Sequence, residues 1–289
     1  MKKVLITGSS NGFGYLATLT LARKGYKVWA TMRDTNGKNA QKKQELESIA
    51  NDENLAITVA ELDVTSAIST NTLVERIIKE DVNLDVLVNN AGIMYVGITE
   101  AYSLEQVEEQ FNTNFFGVIR TSKAFLPLLK KSDDGLIINI SSLAGRLVFP
   151  YFGVYCASKF ALEAYSESLK YELKPFGVDV TVIEPGPYPS GLLYSGPKED
   201  DTKVLETYGD MAGIPKAMLD NFGEFYKSEN APNPQEIPNA ILKAIETEKG
   251  KRPIRHAVGI DYSTNELNSK TAPIQESLVK DALQMAHLI

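Results

Sequence analysis

Short apolar runs alternate along the chain with longer stretches whose apolar residues recur every three to four positions, as far as about residue 258. An apolar run of four to eight residues between turn formers reads as a strand buried on both faces, and the 3.6-residue period reads as amphipathic helix. Strands are predicted at residues 4–6, 27–31, 57–62, 86–89, 136–140, 178–183 and 254–258. Helices are predicted at 15–24, 38–51, 67–80, 103–131, 155–174 and 234–247, followed by a tail that is helical in part. This alternation predicts an α/β fold, a doubly wound parallel sheet of seven strands between two helical layers, with the ligand across the carboxyl ends of the strands.

The first strand, Val4-Leu5-Ile6, runs into Thr7-Gly8-Ser9-Ser10-Asn11-Gly12-Phe13-Gly14 and then into the first helix. Glycines there permit a tight turn and close approach to the backbone, and the free amides and dipole at a helix N-terminus suit a pyrophosphate. The second strand ends at Met32-Arg33-Asp34, where a dinucleotide fold meets the adenosine ribose. Asp34, about twenty residues beyond Gly14, would accept from a free 2′-hydroxyl and favour NAD, whereas the Arg33 guanidinium would pair with a 2′-phosphate and favour NADP.

Downstream stands Tyr155-Cys156-Ala157-Ser158-Lys159. One helical turn separates Tyr155 from Lys159, so both lie on one face. A phenol ionises near pH ~10, and a nearby ammonium lowers that value, making the tyrosine a usable proton donor or acceptor. The buried strand 136–140 ends in Ser141-Ser142, which places a hydroxyl opposite the pair.

The Thr-Gly-x-x-x-Gly-x-Gly turn, Asn89-Asn90-Ala91-Gly92, Asn114, Ser142, Tyr155, Lys159 and Pro185-Gly186 stand in this order along residues 1–190. In this the chain resembles the single-domain branch of the short-chain dehydrogenase/reductase family. The resemblance implies a Rossmann-type fold and hydride transfer between a nicotinamide cofactor and a carbonyl or alcohol carbon. Tyr155 would pass the proton, Lys159 would lower the tyrosine pKa and hold the nicotinamide ribose, and Ser142, rather than Ser141, would hydrogen-bond the substrate oxygen. Asn114 would hold a water linking the lysine to solvent. Cofactor contacts are implied at Gly8, Ser10, Asn11, Gly12, Phe13 and Gly14, at Asp63 and Val64 beside the adenine, and at Asn90, Ala91 and Gly92. Pro185, Gly186 and Ser190 would face the nicotinamide, although Pro187 and Pro189 stiffen that stretch. Asp63 reads equally as a turn residue before Thr65, and Asn89 as a sheet-stabilising amide. Met32 occupies the place of the NAD-selecting acid and Arg33 that of the phosphate-binding arginine, so NADP(H) is favoured over NAD(H). Relatives pair their long helices, which implies a homodimer or homotetramer.

Length and composition narrow the remaining choices. The 289 residues suffice for one domain, and a formal charge of −7 with no basic run argues against nucleic acid as a partner. One cysteine, Cys156, excludes an internal disulfide, and with only His256 and His287 beside it no metal cluster is expected. Cys156 reads as inert filler or as a redox switch. With no signal segment and no apolar run approaching ~18 residues, a cytoplasmic protein without a membrane span is expected. Residues 187–233 are rich in bulky groups, among them Tyr188, Leu192 and Leu193, and read either as a lid over a pocket for a bulky or apolar carbonyl substrate or as ordinary packing onto the sheet. Two rival functions share the scaffold: a cofactor sensor without turnover, and a lyase or epimerase. No serine-hydrolase elbow or phosphate-binding P-loop supports hydrolysis or phosphoryl transfer.

Overall fold

A computed structural model describes residues 1–80 and 83–289. Its seven strands are β1 (Lys3–Thr7), β2 (Lys27–Met32), β3 (Ile57–Glu61), β4 (Val86–Asn89), β5 (Gly135–Ile140), β6 (Val178–Pro185) and β7 (Arg255–Val258). They form one parallel sheet in the order β3-β2-β1-β4-β5-β6-β7. The strand order reverses between β1 and β4, and this switch point opens a crevice at the carboxyl ends. Register brings the tips together: Thr7 pairs with Thr31, Asn89 with Asn139, and Ile140 with Ile183.

The helices are α1 (Gly12–Arg23), α2 (Ala40–Asp52), α3 (Ala67–Lys79), α4 (Leu104–Phe111), α5 (Gly117–Leu129), α6 (Gly153–Leu173), α7 (Thr202–Thr207), α8 (Ile214–Phe225), α9 (Glu236–Glu246) and α10 (Thr264–Ser277). Successive strand residues serve opposite cores, as the two-residue strand period requires. Val4, Ile6, Val86, Val88 and Ile138 pack with Leu21 of α1 and Ile241 of α9. Leu5, Leu87 and Ile137 pack on the other face with Ile77, Phe125 and Leu169 of α3, α5 and α6.

Several boundaries differ from the sequence expectation for identifiable reasons. The helix predicted at 103–131 is two helices joined by a π-turn over Asn112–Phe116, the wide turn that a helix adopts where a functional or packing constraint inserts a residue. Ser103 opens it with a full capping box, its hydroxyl accepting from Gln106 N. Helices α1 and α6 begin earlier than predicted, at Gly12 and Gly153, because apolar periodicity starts later than the helical backbone. Residues 187–233 contribute α7, α8 and turns that are tied to the body of the molecule. Met94 N donates to Ser195 Oγ at 2.9 Å, Ile98 N to Glu199 Oε1 at 2.7 Å, and Gln106 Nε2 to the Lys198 carbonyl at 2.7 Å. Among the described residues no helix is long and apolar enough to cross a membrane, and no group of three or more His, Cys, Asp or Glu could hold a metal ion.

Candidate active site

A cleft of about 990 Å³ runs along the strand tips. At its β1 end the glycine turn is shaped by contacts that exclude a side chain. Gly8 has φ +72°, and a Cβ on Gly14 would stand 2.3 Å from the Gly8 carbonyl oxygen and 2.5 Å from Asn90 Nδ2. Asn90 braces this turn, its Nδ2 donating to the Thr7 and Gly8 carbonyls at 2.8 and 3.1 Å. Gly12, at φ +55°, has open space where its Cβ would be. No side chain caps the start of α1 after Asn11, so the first-turn amides lie at the cleft wall formed by Ser10, Asn11, Gly12 and Phe13. A glycine cradle with an open face and an uncapped helix N-terminus fits a pyrophosphate.

At the tip of β2 the two candidate selectors behave differently. Asp34 takes φ +49° and turns its carboxylate into its own loop, accepting from Lys38 N at 2.7 Å. The neighbouring acid, Glu61, is also engaged, accepting from Asp34 N at 2.6 Å and Thr35 N at 2.7 Å. Arg33 and Lys38 both line the cleft, and neither forms an ion pair among the described residues. Asp63 and Val64 line the next stretch, where Asp63 Oδ1 accepts from Thr65 N at 2.8 Å, so the turn and the cleft position coexist. Asn89 lies inside the sheet, donating to Asn139 Oδ1 at 2.8 Å.

Strand β5 and helix α6 bring Ser142, Tyr155 and Lys159 to the same cleft wall. Ser142 Oγ accepts from Ala144 N at 3.1 Å, which leaves its hydroxyl hydrogen free to donate. Tyr155 packs among Ala144, Phe152, Cys156 and Leu193. Lys159 is buried and donates to the Ile140 carbonyl at 2.9 Å, its Nζ standing 5.7 Å from the centre of the Tyr155 ring.

In the protein alone, burial dominates the electrostatics of the Tyr155–Lys159 pair. Burial holds the Tyr155 phenol well above its ordinary value, with the Ser142 hydroxyl acting weakly in the opposite direction. Burial also draws Lys159 down to about 8, against the pull of Glu163 one turn further on. In the protein alone, desolvation outweighs the phenol-ammonium attraction.

Asn114 sits apart from this group. The π-turn directs its amide to the Ile93 backbone, accepting from Ile93 N and donating to the Ile93 carbonyl, both at 2.9 Å, while Nδ2 also reaches Ser158 Oγ at 3.2 Å. It clamps the segment that follows Asn90-Ala91-Gly92, and no hydrogen bond joins it to Lys159.

Of the remaining expected contacts, Pro185, Gly186 and Ser190 line the cleft, as do Leu192 and Leu193. Tyr188 lines the cleft as well, with its ring edge-on to Phe13 at 5.5 Å and its hydroxyl donating to Glu236 Oε2 at 2.8 Å. The sequence reading missed Lys38 and Met94, while Tyr194 and Tyr226 come from the bulky 187–233 segment. Lys38 had a local signal, since the Asp34-Thr35-Asn36-Gly37 turn folds the following residue back toward the strand tip. The others reach the site through the packing of α8, with Met218, Leu219, Phe222 and Tyr226 against the cluster around Tyr155.

Residues 2–198 match the family described as short chain dehydrogenase. A 3-ketodihydrosphingosine reductase of Bacteroides thetaiotaomicron is 37% identical over 258 residues, 89% of this chain and 87% of that protein. Human retinol dehydrogenase 8 is 36% identical, over 91% of this chain and 83% of its own length. An alcohol dehydrogenase from the archaeon Thermococcus sibiricus, solved with 5-hydroxy-NADP, superposes with a TM-score of 0.71 at 25% identity, over 89% of this chain and 96% of its own. Fold, cleft and these likenesses agree, and the chain belongs to the short-chain dehydrogenase family of oxidoreductases.

Proposed function

We propose that the protein interconverts a carbonyl and an alcohol on a bulky, apolar substrate, using NADP(H) in preference to NAD(H). The observation that carries this reading is the meeting of Ser142, Tyr155 and Lys159 at a wall roofed by apolar side chains of α8.

Arg33 and Lys38 are two free cations at the ribose end, while both nearby acids, Asp34 and Glu61, are spent on backbone amides. That balance suits a 2′-phosphate over a bare hydroxyl pair. A bound nicotinamide supplies or accepts the hydride. Lys159 holds a positive charge beneath the ribose position. Ser142 donates its free hydrogen to the substrate oxygen and steadies charge developing there, a contact worth ~2.7–4 kcal/mol where it has been measured in other enzymes. Tyr155 passes the proton. Burial keeps the phenol protonated in the protein alone, so it can donate to a carbonyl oxygen. Asn114 positions the wall by clamping Ile93.

The roof supports the substrate class. Phe149, Phe152, Met94, Met218, Phe222 and Tyr226 pack in one apolar cluster with Tyr155, and Met94 and Tyr226 of these line the cleft. The substrates named for the two curated relatives, a ketosphingoid and a retinol, are apolar in the same sense. A homodimer or homotetramer through α5 and α6 is part of this reading, as Phe116 and Phe160 stand largely exposed beside and on those helices.

The test is NADPH and NADH oxidation across long-chain ketones, polyene aldehydes and small ketones, with Tyr155→Phe alongside. Faster NADPH turnover on long apolar carbonyls, lost in the variant, supports the reading. Tight NADPH binding with no oxidation on any carbonyl overturns it in favour of a sensor.

A further inference from the structure

Behind the catalytic wall lies a charged cluster in which a single cation, Arg255, is shared among three carboxylates. Lys159, Glu163 and Glu167 recur at four-residue intervals on one face of α6. Arg255 of β7 divides its guanidinium between two of them, Nε to Glu163 Oε2 at 2.9 Å and a terminal nitrogen to Glu167 Oε2 at 2.8 Å. Glu184, the β6 residue just before Pro185-Gly186, is wholly buried, and its nearest cation is the already shared Arg255 Nε at 3.8 Å. Its Oε2 accepts from Asn268 Nδ2 of α10 at 2.7 Å. Arg146, the other cation present, donates to Asn268 Oδ1 and Thr271 Oγ1 and bonds neither glutamate. His256 falls on the opposite face of β7 by strand alternation.

Three side-chain oxygens of this cluster are buried without a hydrogen-bond partner, Glu163 Oε1, Glu184 Oε1 and Ser141 Oγ. A buried carboxylate without a partner is costly, and a proton placed on one of two carboxylates that share Arg255 Nε, at 2.9 and 3.8 Å, removes one of the two buried charges.

We propose that Glu163 and Glu184 form a carboxyl pair that keeps one proton at neutral pH, with Glu184 the acid and Glu163 the carboxylate, and that Glu163 thereby serves as the positioning residue that keeps Lys159 charged. The proton moves from solvent to Glu184 during folding, and no bond other than O–H forms or breaks. Burial lifts both groups: it and, secondarily, the charge of Glu163 lift Glu184 to about 8, while Glu163 is raised by burial against the Ser141 hydroxyl and Arg255, which favour its charged form. The shared proton does not depend on the proposed reaction; only the role given to Lys159 rests on that reading.

The sign of the stability effect follows from linkage. Glu184 has a higher pKa folded than unfolded, so its contribution is complete below the unfolded carboxylate pKa and is lost as pH rises through about 8. Glu184→Gln copies the neutral acid. It should melt within about a degree of wild type near pH 4.5, with its lead growing to several degrees near pH 9. A deficit of several degrees that is the same at both pH values would make Glu184 an ordinary ionised partner of Arg255 and overturn the pair. Independently of any variant's folding, wild type at pH 6.5 should show an infrared band of a protonated carboxyl that fades near pH 9; its absence overturns the proposal. For Lys159, Glu163→Gln should move the alkaline limb of the turnover profile down by roughly half to one pH unit. An unmoved limb removes Glu163 from that role. A protein with no turnover on any carbonyl would defeat the proposed reaction while leaving the infrared and melting outcomes to decide the pair.

Discussion

Lys159 Nζ stands 5.7 Å from the centre of the Tyr155 ring and 2.9 Å from the Ile140 carbonyl oxygen that holds it there. The ammonium is thus anchored to the end of β5, beneath the phenol, and the carbonyl fixes its place before any ligand binds. Both side chains are almost fully buried, and burial works against the charged form of each.

Tyr155→Phe keeps the ring and its packing among Phe152, Cys156 and Leu193 while removing the proton. Turnover should fall by at least about a hundredfold with NADPH affinity unchanged. Steady-state rates and a fluorescence titration of NADPH check this together, and retained turnover would take Tyr155 out of the mechanism.

Lys159 carries a stability cost that pH reveals. Its pKa falls from 10.5 to about 8, which at ~1.36 kcal/mol per pH unit is on the order of 3 kcal/mol. A base whose folded pKa lies below its unfolded one contributes fully only above the unfolded value, and that contribution is lost as pH falls through about 8. Lys159→Met should therefore melt above wild type at pH 7, with the gap closing as pH approaches the unfolded lysine value, and should lose activity. Melting curves at a series of pH values decide it; a variant less stable at pH 7 would contradict the sign.

Arg33→Ala and Lys38→Ala should each weaken NADPH binding by roughly tenfold or more while changing NADH binding little. Dissociation constants for both cofactors are the measurement. Equal losses for NADH would return the selecting role to Asp34.

The two glycines of the turn separate fold from ligand. A Cβ at Gly14 meets the Gly8 carbonyl at 2.3 Å, so Gly14→Ala should destabilise the protein by roughly 1–3 kcal/mol. Gly12 has open space around it but φ +55°, so Gly12→Ala should cost only about 1–2 kcal/mol of stability through its backbone while blocking the pyrophosphate position. Urea melts and NADPH titrations of both variants distinguish the two effects.

Phe222→Ala opens the roof where α8 packs toward Tyr155 and Leu193. KM for a long apolar carbonyl should rise about tenfold, with little change for a small ketone. A uniform change across substrate sizes would make α8 mere packing.

Much of this architecture is legible from local pattern. A two-residue period sends Val4 and Ile6 to one core and Leu5 to the other, so the strands could be read residue by residue. The glycine turn and the one-turn interval from Tyr155 to Lys159 are likewise properties of adjacent positions, since backbone conformation and helical pitch act over a few residues. What local pattern does not carry is which surfaces meet. The bulky 187–233 segment does not say which of its residues packs against the cluster holding Tyr155, as Tyr226 does, and nothing near Glu163 announces an arginine 92 positions away. The sequence reading held no sign that the Asp34 carboxylate would be taken up by its own loop, or that Glu236 would accept from the Tyr188 hydroxyl. The pKa of Tyr155 likewise depends on more than its neighbours in sequence, which supply a cation, because burial depends on every element that excludes water from it.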